Sequence, residues 1–282
     1  MKTPVSIVIL TKNEQADLPR CLEALTWTDD IHMLDSGSTD DTLRIAESKG
    51  VKCYHRPFDS FGKQRNWALE NCALRYRWIL FLDADEVAPV EFANEVARVA
   101  ALPESNVAGY YCCWKMMLND QWLRHADSFP KWQLRLVRSG AVKFIDFGHG
   151  QKEGEVTGIL GYVKTPYLHY AFSKGWSFWI EKHNRYSSLE ADERLASKVS
   201  LKNIWGVHSS QRNTRIKILV SRVPGWPLLR FIHAYFFTLG FLDGRAGLRY
   251  AILMAYYEFM IRLKISEKKR AQRGNEANKI NT

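Results

Sequence analysis

Short apolar runs alternate with polar loops along the first 90 residues, which is typical of a parallel sheet. The apolar runs cover 4–10, 31–34, 51–55 and 78–82. Between the first two runs, apolar residues recur at helical spacing, at Leu18, Cys21, Leu22 and Leu25, and a second helix is expected over 42–49. This alternation of strands and helices predicts an α/β fold with a doubly wound, mostly parallel sheet.

The fourth apolar run leads directly into a cluster of acids. Its last residue, Leu82, is followed by Asp83, Ala84, Asp85 and Glu86. Open α/β sheets bind their ligands at the carboxyl ends of their strands. An Asp-x-Asp pair at that edge offers the hard oxygen ligands that Mg²⁺ or Mn²⁺ prefers, and the cation can neutralise a diphosphate leaving group. An isolated Asp-x-Asp is more often an acidic turn, so the other strand ends must decide between the two interpretations.

The other predicted strands also end in polar loops. Thr11, Asn13 and Glu14 follow the first strand, and Asp35 ends the second. Gly37 then permits a tight turn, and the Ser, Thr and Asp that follow it are good helix N-caps. Polar side chains are therefore expected to meet at one edge of the sheet.

These segments resemble glycosyltransferase family 2 enzymes with the GT-A fold. The matching segments, in the family's order and spacing, are 6–14, 35–40, 62–69 and 82–86. Within the family, the chain is most similar to lipopolysaccharide core β-glucosyltransferases. That narrower resemblance depends on Arg135-Leu136, the region of His149, and residues 183–187.

The resemblance implies a nucleotide-sugar site and assigns roles to its residues. The nucleotide would be held by Thr11, Asn13, Glu14, Asp35, Lys63, Arg65 and Asp83. A carboxylate such as Asp35 can accept a hydrogen bond from a uracil imide or a ribose hydroxyl, and the two cations suit a diphosphate. Asp83 and Asp85 would bind the metal. The alternatives are a turn acid for Asp35 and a solvated helix face for Lys63 and Arg65.

The middle of the chain should supply the acceptor side and the general base. Residues 110–117 and 131–138 have the aromatic and alternating content of strands, and a Gly-punctuated polar loop is expected over 146–155. The resembling enzymes have a carboxylate directly after a His here, whereas Gly150 follows His149 in this chain. Glu153 is therefore the first candidate for the base that deprotonates the acceptor hydroxyl. Asp146 and His149 are the competing candidates. The alternative for each acid is that it is an ordinary surface residue with no catalytic role.

A later histidine and its neighbouring helix have two interpretations each. His169 is more simply a structural histidine, but it is also a possible third metal ligand, because some GT-A enzymes use a later His. The segment 183–188 could bind acceptor phosphate or pack on the catalytic domain.

Charge divides the chain into an acidic and a basic part. Residues 1–110 hold 12 Lys and Arg against 17 Asp and Glu, and residues 111–282 hold 28 against 13, a balance of +15. No zinc-finger spacing or RNP-type strand suggests nucleic acid as a partner. Five cysteines without a CxxC pair fit reduced thiols in the cytoplasm. A lipid-linked glycan at an anionic membrane surface explains the basic part better.

The C-terminal third is basic and helical in pattern. The apolar runs 228–242 and 250–263 contain charged residues, so two amphipathic helices lying in the membrane interface are expected rather than a spanning helix. A soluble helical pair is the alternative. The predicted domains are a GT-A catalytic domain over 1–172 (nucleotide-sugar half 1–110, acceptor half 111–172), a helical, membrane-associated region over 173–266, and a disordered tail over 267–282.

Together these features predict an inverting, metal-dependent hexosyltransferase at the cytoplasmic face of the membrane. It would move a hexose from a UDP sugar to a lipid-linked envelope glycan such as lipopolysaccharide core. A transferase that uses a polyprenyl-phosphate-linked exopolysaccharide acceptor, and a non-catalytic glycan- or lipid-binding protein, are the alternatives.

Overall fold

The computed structural model describes residues 2–103, 106–147, 150–197, 216 and 218–280, with the backbone alone at 147 and 273–280. The chain forms two compact units. The first contains residues 1–122 and 129–174, and the second contains residues 123–128 and 175–282. The boundary at 174 lies close to the predicted end of the catalytic domain at 172, whereas the transfer of 123–128 to the second unit was not predicted.

The first unit is built on one twisted sheet with helices on its faces. Its strands are β1 Val5–Thr11, β2 Ile31–Asp35, β3 Lys52–His55, β4 Trp78–Asp83, β5 Glu86–Val87, β6 Val107–Leu118, β7 Gln121–Trp122, β8 Trp132–Arg138, β9 Val142–Phe147, β10 Gly150–Val156 and β11 Ile159–His169. Its helices are α1 Leu18–Glu23, α2 Thr42–Ser48, α3 Phe61–Asn71 and α4 Val90–Ala100. The strands and helices predicted over the first 90 residues are confirmed.

Among the described residues, nine strands form the main sheet in the order β3-β2-β1-β4-β8-β6-β11-β5, with β7 paired to β6. The first four strands are all parallel. Strand β8 joins β4 and β6 through antiparallel ladders, and β6 and β11 are again parallel. The mixed α/β fold with a large, mostly parallel sheet agrees with the GT-A prediction.

The apolar runs of β1 and β4 form the centre of the first unit. Both strands are buried on both faces, which explains why they are almost continuously apolar. One face of the sheet packs on α1 and α4 through residues such as Leu82 and Phe92, and the other packs on α3 and the β9–β10 hairpin through residues such as Phe81 and Phe144. The carboxyl ends of β1 and β4 are therefore held in place by a packed core.

The polar loop predicted over 146–155 is wrong, because most of it is a β-hairpin. Strands β9 and β10 pair antiparallel, with Gly150 opposite Phe147 and Glu153 opposite Phe144. The hairpin docks on α3: the Asn66 side chain donates to the Phe144 carbonyl at 2.9 Å and accepts from the Phe144 N–H at 2.8 Å. The ladder between β9 and β10 therefore satisfies backbone N–H and C=O groups of this polar segment.

The second unit is helical. It contains α5 Gly175–Ala196, α6 Trp226–Ile232, a π-helical turn at His233–Phe237, a 3₁₀ turn at Gly240–Asp243, and the long helix α7 Gly244–Ile280. Arg194 of α5 donates to both oxygens of Glu258 on α7, at 2.8 and 3.1 Å. Within the described part of the chain, no helix has both the length and the apolar composition needed to cross a bilayer.

The second unit differs from the sequence-based expectation at two places. Residues 123–128 belong to it because the Asp243 carboxylate accepts from the His125 and Ala126 N–H groups, at 2.9 and 2.8 Å. Helix α7 also continues to Ile280, past position 267 where disorder is expected, and its last part is rich in Glu, Lys, Arg and Ala, which favour helix. Residues 198–215 and 217 lie outside the described residues.

Candidate active site

The Asp-x-Asp pair lies at the carboxyl end of β4, in the middle of the sheet. The Asp83 N–H donates to a Glu86 carboxylate oxygen at 2.9 Å, which closes a tight turn after the strand. Glu86 is fully buried, whereas the Asp83 side chain is one-third exposed. The turn therefore buries one acid and presents the other at the edge of the sheet.

Two arginines from other elements hold these acids. Arg135 of β8 donates to Asp83 at 2.9 Å and to Glu86 at 2.6 Å. Arg65 of α3, also fully buried, lies 3.4 Å from Asp83. Burial alone would raise the pKa of Asp83, but the two guanidinium groups hold it well below its usual range. The two guanidinium groups, which we call the arginine clamp, therefore favour the charged form of Asp83.

The pKa values of Glu86 and Arg65 shift toward the neutral form of each group, which is the form that burial favours. Burial raises the pKa of Glu86 to about 7 in spite of Arg135, and burial with the neighbouring Arg135 lowers the pKa of Arg65 to about 10. Two nitrogens of Arg65, Nε and Nη1, are buried and donate to no partner among the described atoms. They are donors available to an anion at this edge.

The second acid of the pair faces a histidine. Asp85 lies 3.4 Å from His169 at the end of β11, and about a fifth of each side chain is exposed. Burial disfavours the imidazolium, but Asp85, Glu86 and Asp83 outweigh it and raise the pKa of His169. The sequence left two interpretations of His169, a structural histidine and a third metal ligand. The structure brings it to the strand-end acids, where both stay predictions.

The side chains at this edge fit a metal ion that takes part of its coordination shell from the substrate. Among the described residues, no group of three or more His, Cys, Asp or Glu side chains is arranged to hold a metal ion alone. Asp85 and His169 supply one carboxylate and one imidazole, and Mg²⁺ sites with one or two protein ligands take the rest from phosphate and water. Asp83 is already bound by Arg135, so its predicted metal role stays a prediction.

The loops after β1 and β2 are tied together beside this edge. Thr11 donates to Asp35 at 3.2 Å, and the Asn13 side chain accepts from the Thr39 N–H at 2.8 Å. Asp35 is fully buried and also accepts from the N–H groups of Gly37 and Ser38. In this arrangement Asp35 and Asn13 shape the loops. Their contact with a nucleotide stays a prediction.

Glu14 approaches the same acids from the β1 loop. It pairs with Lys174 at 2.6 Å, and Lys174 also donates to the Asn13 carbonyl. Burial raises the pKa of Glu14 to about 7, with Asp85 and Asp17 adding to the shift and Lys174 opposing it. Lys174 was not predicted, because its partners lie 160 residues earlier in the chain.

Helix α3 brings Lys63 and the hairpin acid Asp146 together. Lys63 is exposed in the first turn of α3, whose N-terminal N–H groups favour anions. The Gly62 N–H donates to Asp146 at 3.0 Å, and a side chain at Gly62 would collide with that carboxylate. Asp146 is therefore held at the N-terminus of the helix that carries Lys63 and Arg65.

The first candidate for the base, Glu153, belongs to strand β10 of the hairpin and is paired with Phe144. Burial raises the pKa of the Tyr111 hydroxyl on β6, and the neighbouring Glu153 carboxylate raises it further. The structure thus holds Glu153 and Asp146 by different partners. His149 lies outside the described residues, so its role stays a prediction.

Comparisons with known proteins show which family the chain resembles. The model of the glycosyl transferase family 2 matches residues 6–149. An uncharacterized glycosyltransferase of Rickettsia typhi is 34% identical over 280 residues, covering 93% of this chain and 87% of its own. The lipopolysaccharide core biosynthesis glycosyltransferase LpsC of Rhizobium meliloti is 26% identical over 273 residues, covering 95% and 93%.

Solved structures give weaker likenesses. Residues 1–349 of TarS from S. aureus superpose with a TM-score of 0.40 and 15% identity, over 96% of this chain and 92% of that one. Glucosyl-3-phosphoglycerate synthase from Mycobacterium tuberculosis, solved with Mn²⁺, UDP and glucosyl-3-phosphoglycerate, covers 40% of this chain and 43% of its own, with a TM-score of 0.32 and 21% identity. The family match over half of the chain, with strand-end acids at the sheet edge, shows that this chain belongs to glycosyl transferase family 2.

Proposed function

We propose that this family 2 glycosyltransferase is an inverting hexosyltransferase that uses a UDP sugar and a lipid-linked envelope glycan such as lipopolysaccharide core. The observation that carries the proposal is the juxtaposition of Asp85 and His169 with the clamp of Arg65 and Arg135. Carboxylate, imidazole and guanidinium groups at one strand edge match the charges of a metal-bound diphosphate.

The residues divide the work of transfer between them. Asp85, with His169 and Asp83, would hold Mg²⁺ or Mn²⁺, which offsets the charge of the diphosphate. Arg65 and Lys63 would bind the phosphate oxygens, and Thr11, Asn13, Glu14 and Asp35 the nucleoside. A hairpin carboxylate would take the proton of the acceptor hydroxyl, whose oxygen then bonds to the anomeric carbon as the bond to the diphosphate breaks.

The second unit supports a lipid-linked acceptor through an exposed apolar stripe on α7. The stripe contains Leu248, Ile252, Tyr256, Phe259 and Leu263, which are between 37% and 54% exposed and follow one another at helical spacing. Phe236 and Phe237 precede it and are 54% and 77% exposed. With the basic balance of 111–282, this composition fits an amphipathic helix on an anionic membrane surface. A polyprenyl-phosphate-linked acceptor fits the same stripe.

Thermal shift with UDP and Mn²⁺ tests the donor site. A ligand that binds only the folded protein raises its melting temperature, so we expect UDP to raise it more with Mn²⁺ than without. Asp85→Asn should lose the Mn²⁺-dependent part. Asp29→Asn, an exposed acid before β2, is the matched control and should keep it. If UDP and Mn²⁺ together leave the wild-type melting temperature unchanged, UDP is not the donor nucleotide. The absence of a metal-dependent shift with any nucleoside diphosphate would favour the non-catalytic binding protein.

A further inference from the structure

Three aromatic side chains on neighbouring strands form an exposed cluster on the hairpin face of the sheet. The Tyr111 and Tyr162 rings stack at 5.4 Å, and the Trp132 ring meets Tyr162 edge-on at 4.9 Å. Trp132 is 38% exposed and Tyr162 is 52% exposed. We call Tyr111, Trp132 and Tyr162 the aromatic platform.

The platform is held in place by the strand register. Tyr111 of β6 is the direct partner of Tyr162 on β11, and Cys113 of β6 is the partner of Trp132 on β8. Direct partners and alternate residues along a strand share a face of the sheet. The rings are therefore rigidly presented, which lowers the entropy cost of binding a ligand.

A carboxylate and a phenol hydroxyl border the platform. The Glu153 carboxylate of the hairpin neighbours the Tyr111 hydroxyl and adds to the rise that burial causes in the pKa of Tyr111. A carboxylate has two acceptor oxygens and a phenol can both donate and accept, so both groups can bond to a ligand. The site thus combines apolar ring faces with a carboxylate and a hydroxyl at their rim.

The platform lies at the same end of the sheet as the strand-end acids. Strand β8 runs antiparallel to β4, with Leu136 opposite Leu80. Trp132, four residues before Leu136, is therefore about level with Ala84, four residues after Leu80. Arg135 of the same strand contacts Asp83 directly.

A pyranose ring has the surface that this site complements. Its C–H groups form an apolar face that packs on aromatic rings, while its hydroxyls radiate from the rim and bond to carboxylates and phenols. Three rings are too few for a stable protein interface, which buries about 800 Å² on each partner, but they are enough for one or two sugar rings.

We propose that the aromatic platform binds a sugar ring of the acceptor glycan, with Glu153 and Tyr111 contacting its hydroxyls. This inference rests on the proposed transferase function and specifies its acceptor side. It also gives the hairpin carboxylate a defined position, beside the hydroxyls of the bound acceptor.

Saturation-transfer NMR on the full chain tests the platform directly. The probes are the methyl glycosides of glucose, galactose and N-acetylglucosamine, and a core oligosaccharide released from rough-type lipopolysaccharide by deacylation. We expect transfer to the ring C–H protons of at least one probe. Trp132→Ala and Tyr162→Ala should weaken that binding about tenfold, and Trp132→Phe should restore most of it. The matched control is Trp176→Ala, since Trp176 of α5 is 39% exposed, and it should bind as the wild type does.

The outcomes separate this inference from the proposed function. If no probe binds, or if Trp132→Ala and Tyr162→Ala bind as tightly as the wild type, the platform is not a sugar site. The UDP and Mn²⁺ thermal shift of the same variants reports the donor site independently. A retained shift with no sugar binding overturns only the platform. Sugar binding that depends on Trp132, without any UDP shift, supports the platform and overturns UDP as the donor nucleotide of the proposed function.

Discussion

Arg135 is the residue on which the charge balance of the site depends. It is buried between Asp83 and Glu86 and donates to both. Burying a carboxylate without a partner is costly, and a buried acid that loses its cation is left uncompensated. Arg135 therefore both positions Asp83 and makes the buried Glu86 tolerable.

Replacing Arg135 by Met should destabilise the protein strongly. We expect the free energy of unfolding to fall by about 3–5 kcal/mol, as when one partner of a buried ion pair is removed. Urea unfolding monitored by tryptophan fluorescence measures it. The control is Arg44→Met, because Arg44 pairs with Asp41 at an exposed site and surface pairs contribute little. An equal loss of unfolding free energy in the two variants would contradict the role of Arg135 as the cation that compensates the buried acids.

The two hairpin acids, Glu153 and Asp146, are rival candidates for the general base, and substituting each of them distinguishes the two. If Glu153 takes the acceptor proton, Glu153→Gln should lower kcat about 10²- to 10⁴-fold and leave UDP affinity unchanged. Asp146→Asn should then reduce kcat much less. The measurement is steady-state transfer with UDP binding in parallel, and the reverse order of effects would assign the base to Asp146.

Asp30 gives the stability of the first unit a pH dependence. It is buried at the start of β2 and accepts from Ser6 at 2.6 Å, the Arg75 N–H at 2.8 Å and Lys52 at 2.9 Å. Burial raises the pKa of Asp30, but these donors outweigh burial and lower it. Because the folded pKa is below the unfolded value of about 3.9, the unfolded chain binds the proton more readily. The contribution of Asp30 to the free energy of unfolding is therefore complete above about pH 5. It is lost as the pH falls through the folded pKa.

Urea unfolding of Asp30→Asn against the wild type measures this contribution. The difference in the free energy of unfolding should be largest near pH 7 and should shrink below about pH 4. A difference that stays constant from pH 7 to pH 3 would mean that the charge of Asp30 does not matter. Asp29→Asn, the exposed neighbour, should give a smaller difference that salt reduces.

At the scale of elements, the β9–β10 hairpin depends on α3 for its position. Asn66 bonds both the N–H and the carbonyl of Phe144, and the Phe144 ring packs edge-on against Phe81 at 5.6 Å. An isolated two-stranded hairpin is marginal in water. The hairpin acids therefore occupy fixed positions only because the helix and sheet beneath them are already formed.

Removing the Asn66 side chain should loosen the hairpin without unfolding the protein. We expect Asn66→Ala to increase hydrogen exchange at 142–147 and 150–156 while β1 and β4 stay protected. Asn71→Ala is the control on the same helix, because the Asn71 side chain donates to the Trp67 carbonyl within α3. Unchanged exchange in the hairpin of Asn66→Ala would show that apolar packing alone holds it.

At the scale of the whole molecule, the acidic residues 1–110 and the basic residues 111–282 suit different surroundings. The stripe on α7 offers apolar side chains, and nearby basic residues add attraction of about 1 kcal/mol each to an anionic surface. Salt screens this attraction but not the burial of Ile or Phe in lipid. Binding to anionic vesicles should therefore weaken in high salt without disappearing.

A single isoleucine tests the stripe. Ile252→Ser should weaken vesicle sedimentation about tenfold, because it removes an apolar side chain of about 1.5–3 kcal/mol from the lipid contact. Ile159→Ser is the matched control, since Ile159 is 61% exposed on the first unit. Equal sedimentation of both variants with the wild type would remove the stripe from the membrane contact.

The sequence by itself determined the sheet of the first half and the edge where its acids meet. Continuous apolar runs must be buried, and polar residues after each parallel strand must share one edge. These are local patterns, and they led to Asp83, Asp85 and the loops around Thr11 and Asp35.

Only the tertiary structure decided which partners those acids have. Arg135 reaches Asp83 from 52 positions away, Lys174 reaches Glu14 from 160, and Asn66 holds the hairpin from 78. No periodicity links such residues, because strand order and antiparallel pairing bring them together. The polar segment 146–155 likewise became a hairpin because its backbone found partners across the turn and on α3.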